Sequence, residues 1–472
     1  MNKPLNSRYL WKITLVATLG GLLFGYDTAV ISGTVSSLES FFVTPFGLDE
    51  TSANARLGLV VSSALVGCIM GGLLGGLVSK KFGRKKGMIL AAVLFLISAL
   101  GSAMPELFIV PLGKGDHTFI YIFITYRILG GLGVGLASML SPLYIAEIAP
   151  SKIRGRLVSM NQFAIIFGML VVYFVNYYIA KQGSDLWLNT VGWRWMFASE
   201  SIPALLFLLL LFFVPDTPRS LVLKGKTERA LEILTKVNGA TEANKIFGDI
   251  TGTVQQSSGK MFSYGIPVIV TGILLCVFQQ FVGINVVLYY APEIFKNMGA
   301  GTDTALLQTI IVGAVNLIFT ILAILFVDKL GRKPLMIIGA LGMALSMFSL
   351  GTLFFIQSTG VLALVFMLSY VASFAMSWGP VTWVLVSEIF PNKIRGRAMA
   401  IAVAAVWIAN YIVSWTFPMM DKNSLLIEKF NHGFAYWIYG IMGVLAMIFV
   451  WKFVPETKGK SLEEMEGLWA KE

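Results

Sequence analysis

Three charged residues stand inside long apolar stretches of this sequence and are the first candidates for chemistry. They are Asp27, Arg127 and Glu200. An ionised side chain at membrane depth is costly unless it faces a cavity or a partner, so such residues indicate function. Burial favours the neutral form of a carboxylate and a nearby cation favours its ionised form. Asp27 beside Arg127 could therefore load and release a proton, with Glu200 as a weaker relay candidate; a permanent structural ion pair is the alternative.

Side-chain amides inside apolar stretches form a second group of candidates. They are Gln162, Gln279, Gln280, Asn285 and Asn316. An amide both donates and accepts hydrogen bonds, so several of them suit a ligand that presents hydroxyl groups. On an unbroken helix Gln280 and Asn285 would point about 140° apart, and a break at Gly283 would let both reach one ligand. Hydrogen bonding between helices is the competing explanation, and it is stronger for Asn316 than for the residues from Gln279 to Asn285.

The elements that must position these residues are membrane-spanning helices. Of 472 residues, 56% are hydrophobic and 13% are charged, whereas a soluble domain carries about 25% charged residues. A helix needs about 20 mostly apolar residues to cross a bilayer. We predict spans at 9 to 35, 55 to 78, 87 to 105, 119 to 147, 155 to 181, 196 to 215, 264 to 295, 305 to 327, 334 to 356, 361 to 387, 396 to 418 and 433 to 453.

The second half of the sequence repeats motifs of the first half. The stretch Glu147-Ile-Ala-Pro-Ser-Lys-Ile-Arg-Gly-Arg156 returns as Glu388-Ile-Phe-Pro-Asn-Lys-Ile-Arg-Gly-Arg397. Parallel repeats of this kind place a substrate site near the bilayer midplane, between the repeats. The predicted organisation is a six-helix half at 1–215, cytoplasmic linker helices at 216–262, a second six-helix half at 263–455 and a cytoplasmic tail at 456–472.

The basic residues are distributed in a way that predicts the orientation in the membrane. The net charge is +11, yet Lys and Arg lie in short loops between apolar spans, which argues against a nucleic-acid surface. Loops on one predicted side, among them 79–86 and 388–397, hold sixteen Lys or Arg, and loops on the other side hold seven. Because cytoplasmic loops are enriched in these residues, we predict that both termini are cytoplasmic.

Motifs for enzymatic chemistry are missing from the sequence. No nucleophile with a neighbouring base and no nucleotide-binding loop appears, so a membrane enzyme is the least favoured class. Cys68 and Cys276 fall within apolar spans, where a disulfide framework is not expected. His117 and His432 fall in external loops without the spacing of metal ligands. We expect neither a cofactor nor a metal.

Five motifs occur in an order that is typical of one transporter family. They are Arg127-Ile-Leu-Gly-Gly-Leu-Gly133, Pro142-Leu-Tyr-Ile-Ala-Glu147, Pro215-Asp-Thr-Pro-Arg219, Gln279-Gln-Phe-Val-Gly-Ile-Asn285 and Pro455-Glu-Thr-Lys-Gly459. Over essentially its whole length the chain resembles the sugar porter family of the major facilitator superfamily, and within it the bacterial carriers that couple D-xylose to a proton. The resemblance implies an all-α membrane protein with twelve transmembrane helices in two halves.

The resemblance also implies roles for individual residues. Asp27 matches the proton acceptor of the coupled carriers, and Arg127 matches its partner. The positions that match sugar contacts are Phe24, Gln162, Gln279, Gln280, Asn285, Tyr289, Asn316, Gly379, Trp383 and Trp407. The positions that match an intracellular charge network, which latches one conformation, are Arg84, Glu147, Arg154, Asp328, Arg332, Glu388 and Arg395. Loop charges that only orient the chain are the alternative for this network, and ordinary packing is the alternative for the aromatic residues.

Three positions depart from the pattern of the family. Met169 and Val406 stand where the xylose carriers have glutamines that surround the sugar, and Lys80 stands where an acidic residue is usual. Each lost amide removes hydrogen bonds worth about 0.5 to 1.5 kcal/mol. The sugar is therefore D-xylose or another pentose or hexose, and the latch of the first half is expected to be weaker.

The expected function is proton-coupled monosaccharide symport by alternating access. The expected partners are the sugar, a proton and the lipid bilayer, without nucleic acid, and we expect a monomer in a bacterial inner membrane. The first alternative is a proton-independent sugar facilitator, in which Asp27 is structural. A sugar sensor would usually carry a longer cytoplasmic tail, and a drug:proton antiporter on the same fold is disfavoured by the amide residues.

Overall fold

The computed structural model describes residues 7–111, 113–150, 153–254, 265–391 and 394–458, without the side chains of residues 7, 253, 254, 328, 395 and 396. Within these residues all regular secondary structure is helical. Twelve helical segments are long and apolar enough to cross a membrane, which confirms the predicted number of spans. The fold follows from this composition, because every backbone polar group in hydrocarbon must be satisfied within its own segment.

The first six spans are built from helices α1 to α9. Their bounds are α1 Ser7–Val30, α2 Val35–Leu38, α3 Glu50–Phe82, α4 Arg84–Ala103, α5 Ile120–Ile148, α6 Arg154–Ala180, α7 Asp185–Trp187, α8 Trp193–Ser199 and α9 Ser201–Leu211. Single 3-10 turns lie at Ile31–Gly33, Thr44–Phe46 and His117–Phe119, and π-helical turns lie at Glu39–Val43 and Leu188–Gly192.

The linker and the second half continue the numbering. The linker helices are α10 Pro218–Leu223, α11 Thr227–Asn238 and α12 Ala240–Val254. The second half contains α13 Ile266–Phe281, α14 Ile284–Tyr289, α15 Ala291–Asn297, α16 Thr302–Leu330, α17 Arg332–Phe355, α18 Val361–Met376, α19 Trp378–Ile389, α20 Arg395–Asp421, α21 Ser424–Phe430 and α22 Phe434–Phe453.

Two spans differ from their predicted form. The sixth span begins at Asp185 rather than at 196 and joins α7, a π-helical turn, α8 and α9. Its first turns contain polar residues, so the apolar pattern of the sequence did not predict this start. The seventh span is interrupted between α13 and α14 at Gly283, which has φ +91°. A break at this glycine is what the spacing of Gln280 and Asn285 predicts.

Bonds between the two halves close one end of the helix bundle, called here the far end. Lys422 forms an ion pair with Glu39. The Ser36 hydroxyl donates to the Glu293 carboxylate, and the ammonium group of Lys296 donates to Ser36 Oγ at 2.6 Å. Because residues before the linker bind residues after it in each case, separating the halves at this end would break these contacts.

The opposite end of the bundle carries the linker and is called here the linker end. Lys224, which follows the last residue of α10, donates to the backbone carbonyl of Phe82 and to the Asp216 carboxylate, both at 2.8 Å. Helix α11 packs against α1, because its buried residues Ala230, Ile233, Leu234 and Val237 follow the spacing of one helix face. The first two linker helices are therefore attached to the first half.

Candidate transport site

An ion pair lies in the core of the first half, between α1 and α5. Arg127 Nη1 donates to Asp27 Oδ1 at 2.6 Å, and Arg127 Nη2 donates to the backbone carbonyl of Asp27 at 3.1 Å. The side chains are 1% and 0% exposed. Removing two charges from water is costly, so a pair this deeply buried is held by its geometry and its additional hydrogen bond. The sequence prediction that these two residues are partners agrees with this geometry.

A second carboxylate lies beside the pair. Glu200 joins α8 to α9 and is 0% exposed. Its position is well inside the sixth span, so the predicted location at the start of that span is wrong, because the span begins earlier. Glu200 accepts no hydrogen bond from a described donor group, and it interacts electrostatically with Asp27 first and with Arg127 second. One guanidinium group and two carboxyl groups thus form one buried cluster.

Close packing fixes the orientation of the ion pair. A Cβ atom added at Gly130 would lie 2.3 Å from Ser98 Oγ and 3.2 Å from Asp27 Oδ1. The guanidinium carbon of Arg127 lies 5.2 Å from the ring centroid of Phe197, a cation–π distance. Two carboxylates and one guanidinium carry one unbalanced negative charge when all are ionised, and burial makes such a charge expensive. The arrangement is suited to holding one proton.

A chain of side-chain amides lines the second half. Asn285 Nδ2 donates to Gln280 Oε1 at 2.6 Å, and Gln280 Nε2 lies 3.4 Å from Gln279 Oε1. Gln279 Nε2 donates to the backbone carbonyls of Trp378 at 2.9 Å and of Gly379 at 3.3 Å. Four of the positions that match sugar contacts, Gly379 and the three amides, are therefore brought together.

The helix break at Gly283 makes this amide chain possible. The backbone of Gly283 adopts the left-handed conformation that side chains disfavour. An added Cβ atom would also lie 2.7 Å from the ring of Tyr439. Because the helix restarts at Ile284 in a new direction, Asn285 reaches back to Gln280.

Aromatic residues from both halves meet at the same level of the bundle. The rings of Phe24 on α1 and Trp407 on α20 lie 5.4 Å apart and are tilted by 52°. Trp383 on α19 is partly buried, and Tyr289 on α14 is buried and accepts a hydrogen bond from Asn410 at 3.3 Å. The charges of Asp27 and Arg127 also act on the Tyr289 hydroxyl. Phe24 and Trp407 thus bring the two halves into contact.

Two amide candidates take no part in the amide chain. Gln162 on α6 is partly buried and Asn316 on α16 is 5% exposed. No side-chain hydrogen bond is formed by either within the described part of the chain. Their donors and acceptors remain free for a ligand, and α6 and α16 pack against each other across the seam between the halves.

One polar residue near the site was missed by the sequence analysis. Asn410 on α20 is 1% exposed, donates to Tyr289 and accepts from Ser414 at 3.0 Å. It lies one helical turn after Trp407. The same signal that selects the other amides, a polar amide inside an apolar span, would have found it.

The predicted latch residues form two matching ion pairs at the linker end, one in each half. Arg84 Nη2 lies 2.6 Å from Glu147 Oε1, and Arg332 Nη2 lies 3.3 Å from Glu388 Oε1. Arg154 is exposed, and no described residue forms a hydrogen bond or an ion pair with it. The side chains of Asp328 and Arg395, also predicted members, lie outside the described part of the structure. Both ion pairs stay within their own half.

Two further carboxylates of this network were missed. Asp216 Oδ1 accepts from the backbone N–H of Lys85 at the start of α4, and Glu456 accepts from the backbone N–H groups of Arg332 and Lys333 at the start of α17. Burial acts to raise the pKa of each carboxyl group. The side-chain hydrogen bonds from Lys224 and Ser220, together with the Lys85 N–H, outweigh burial at Asp216 and lower its pKa. The backbone N–H groups of Lys458, Lys333 and Arg332 do the same for Glu456. The signal was present as the repeated Val-Pro-Asp-Thr and Val-Pro-Glu-Thr motifs.

The neighbouring threonines complete each ion pair. The Thr217 hydroxyl donates to Glu147 Oε2 at 2.6 Å, and the Thr457 hydroxyl donates to Glu388 Oε2 at 2.5 Å. Each half therefore holds an arginine, a glutamate and a threonine in the same arrangement, with an acidic cap at a helix N-terminus beside it.

Comparison with known proteins identifies the family. The family model described as "Sugar (and other) transporter" matches residues 13–469. The chain belongs to this family of sugar transporters. Its full length is 63% identical to the D-xylose-proton symporter of Escherichia coli K12, of which 98% is covered. The glucose facilitated diffusion protein of Zymomonas mobilis is 45% identical, with 97% of this chain and 97% of that protein aligned. The arabinose-proton symporter of Bacillus subtilis is 42% identical, with 97% of this chain and 95% of that protein aligned.

Solved structures match this sugar transporter in fold. The inward-open structure of the xylose transporter XylE from E. coli has a TM-score of 0.89 at 61% identity, and 98% of this chain and all of that chain are covered. XylE bound to 6-bromo-6-deoxy-D-glucose has a TM-score of 0.85 at 63% identity over 98% of this chain and all of that chain.

Proposed function

We propose that this sugar transporter is a proton-coupled symporter of a monosaccharide, with D-xylose as the first candidate. The observation that carries the proposal is the buried group of Asp27, Arg127 and Glu200, which places one guanidinium and two carboxyl groups together. A carrier that only equilibrates its sugar has no need of such a costly group. The relatives that are named proton symporters support the coupling.

The proposed proton site is Asp27, with Arg127 as its counter-charge and Glu200 as a relay. When Asp27 is protonated, its attraction to Arg127 falls and the guanidinium group can turn to Glu200. Because the Tyr289 hydroxyl is within electrostatic reach of the pair, a change of charge there acts on α14. This links protonation to the helix that carries Asn285.

The proposed sugar site lies between the halves. Gln279, Gln280 and Asn285 would exchange some of their mutual hydrogen bonds for sugar hydroxyls, and Gln162 and Asn316 would offer donors and acceptors from α6 and α16. The aromatic walls would be Phe24, Tyr289, Trp383 and Trp407, with Gly379 leaving room for close approach. An aromatic face suits the apolar C–H face of a sugar ring.

The proposed cycle is alternating access with the far end facing outward. Sixteen Lys or Arg in the predicted cytoplasmic loops against seven in the others support a cytoplasmic linker end and cytoplasmic termini. The Escherichia coli relative supports an inner membrane. Each half keeps its own ion pair at the linker end, Arg84 with Glu147 and Arg332 with Glu388, so we propose that these pairs join across the seam when that end closes. We also propose a monomer, because one chain supplies every residue of the site.

The sugar itself is proposed from the relatives and qualified by two residues. The relatives are named for xylose, arabinose and glucose. Met169 and Val406 are 8% and 5% exposed and bring apolar surface where the xylose carriers have amides. D-xylose is therefore expected to bind, with fewer hydrogen bonds than those carriers make.

The test is uptake of radiolabelled D-xylose into proteoliposomes, with and without an inward proton gradient. The native chain is compared with Asp27→Asn, which keeps the shape of the side chain and removes its charge. Glu232→Gln is the matched control, because this carboxylate is exposed on the linker helix α11. The proposal predicts accumulation against a concentration gradient in the native chain and the control. In Asp27→Asn we expect accumulation to be lost while downhill exchange survives.

Two results would redirect the proposal. Uptake that only equilibrates in all three proteins would make the chain a facilitator, like its Zymomonas relative in name, with Asp27 as a structural residue. Absence of D-xylose uptake, together with gradient-driven uptake of arabinose or glucose, would keep the coupling and change the sugar.

A further inference from the structure

A polar cavity lies at the far end, on the seam between the two halves. It is partly enclosed, with a volume of about 160 Å³, the space of about five water molecules. Its walls come from the chain after α1, from the start of the sixth span, and from α15 and α16. None of the residues that match sugar contacts lines it.

Ser32 shows that this cavity has unmet hydrogen-bonding capacity. Ser32 lines the cavity and is 2% exposed, yet its hydroxyl has no hydrogen-bond partner among the described residues. A buried polar group without a partner costs about 1 to 3 kcal/mol. The neighbouring Ser37 donates to Asn189 Oδ1 at 3.0 Å, which leaves the amide nitrogen of Asn189 to face the cavity. Two groups from the first half can therefore bind a ligand.

The second half contributes charged groups to the same cavity. Lys296 donates to Ser36 Oγ at 2.6 Å and lies 3.3 Å from Glu293 Oε1. An ammonium group has three donor hydrogens, so one remains for a ligand. Asp185 stands exposed among the lining residues and offers acceptors. Hydroxyl, amide, ammonium and carboxylate groups thus all line the cavity.

This mixture of groups selects a neutral polyhydroxylated ligand. The ion pair of Lys296 with Glu293 leaves little net charge on the second-half wall of the cavity. Apolar residues, among them Leu188, Pro292 and Leu306, line the rest of the space. We propose that the cavity is a second binding site, of lower affinity than the central one, for a monosaccharide; its ligand class rests on the proposed function.

The site exists only while the far end is closed. Ser32 and Asn189 belong to the first half, whereas Glu293 and Lys296 belong to the second. A ligand that binds only one conformation stabilises it by its differential affinity. Occupation of the cavity therefore holds the halves together at the far end, and high sugar on that side slows the return to the outward-facing state.

The test is equilibrium dialysis of the purified protein with radiolabelled D-xylose over a wide range of concentration. The native chain should bind two D-xylose molecules with separable affinities. Ser32→Leu, which fills the cavity and removes the free hydroxyl, should lose the weaker class and keep the stronger. Gln280→Leu in the central site should do the opposite. Asn189→Leu serves as a second cavity variant where Ser32→Leu does not fold, and Thr190→Val, at an exposed neighbour outside the cavity, is the control.

Each result decides the inference. A single class of D-xylose sites in the native chain, or a weaker class that survives both cavity variants, would overturn it, as would the absence of any binding. A weak class that the cavity variants remove, without any stronger class, would support the cavity while contradicting D-xylose as the transported sugar. The two proposals can therefore fail separately.

Discussion

Arg127 has two buried carboxylates beside it, and each is expected to replace the other as its counter-charge. Asp27 makes the direct bond at 2.6 Å, and Glu200 has both oxygens without a partner among the described residues. When Asp27 becomes Asn, Arg127 keeps the backbone carbonyl at 3.1 Å and gains the Glu200 carboxylate. When both carboxylates are removed, a buried guanidinium is left without any counter-charge.

The size of the effect follows from the burial of these groups. Breaking a buried ion pair costs about 3 to 5 kcal/mol when the remaining charge is uncompensated. Asp27→Asn is therefore expected to cost less than about 3 kcal/mol, and Glu200→Gln less than about 1 kcal/mol, because one carboxylate remains in each. The double variant should cost more than the sum of the single variants by about 1 to 3 kcal/mol.

The assay is the free energy of unfolding of the purified proteins in detergent, followed by the loss of helical circular dichroism. Glu232→Gln again provides the control, because its ion pair with Lys236 is exposed to solvent and contributes little to stability. Additive costs in the double variant would refute the reasoning. Glu200 would then be a buried neutral acid that does not exchange with Asp27 as the partner of Arg127.

Three further predictions concern residues outside this group. The hydrogen bond to Asp421 raises the pKa of His432 from its usual value of 6.5. The protonated imidazole therefore contributes its full stabilisation below about pH 6.5, and this stabilisation is lost as the pH rises through the folded-state pKa. The unfolding midpoints of the native chain and of His432→Gln should converge with rising pH. Gly283→Ala should reduce stability by more than Gly299→Ala. Both glycines have φ +91°, but only at Gly283 would the added Cβ meet a ring, and strain of this kind costs about 1 to 3 kcal/mol. Equal losses of unfolding free energy in the two variants would contradict this. Val406→Gln should tighten D-xylose binding about 2- to 10-fold through one regained hydrogen bond, as measured by titration calorimetry. Weaker binding would place this side chain outside the sugar site.

The sequence predicts the membrane fold well, because a bilayer requires long apolar helices and nothing else in the chain has that pattern. The twelve spans are confirmed. The start of the sixth span at Asp185 escapes prediction, since its first turns are polar and include a π-helical turn. Local backbone geometry of this kind depends on packing against neighbouring helices, which a hydropathy pattern does not contain.

The candidate site is predictable where a polar residue stands alone in an apolar span. This reasoning selects Asp27, Arg127 and the amides, whose assigned roles remain predictions. It does not reveal that Gln280 bonds to Asn285, because that depends on the angle of the break at Gly283. The helix caps Asp216 and Glu456 were missed for another reason. They lie in polar segments, where a carboxylate is solvated and does not stand out from its neighbours. Only the three-dimensional position of a helix N-terminus gives each of them a partner.

Because the first two linker helices are attached to the first half, they move together with it in this transporter. Lys224, at the C-terminus of α10, is hydrogen-bonded to Phe82 and Asp216, and α11 packs on α1. When the halves rock, these helices travel with the first half, and the relative displacement is taken up later in the chain. A fluorescent donor on α11 and an acceptor at the linker end of the second half would therefore report each turnover directly, without a label in the membrane core.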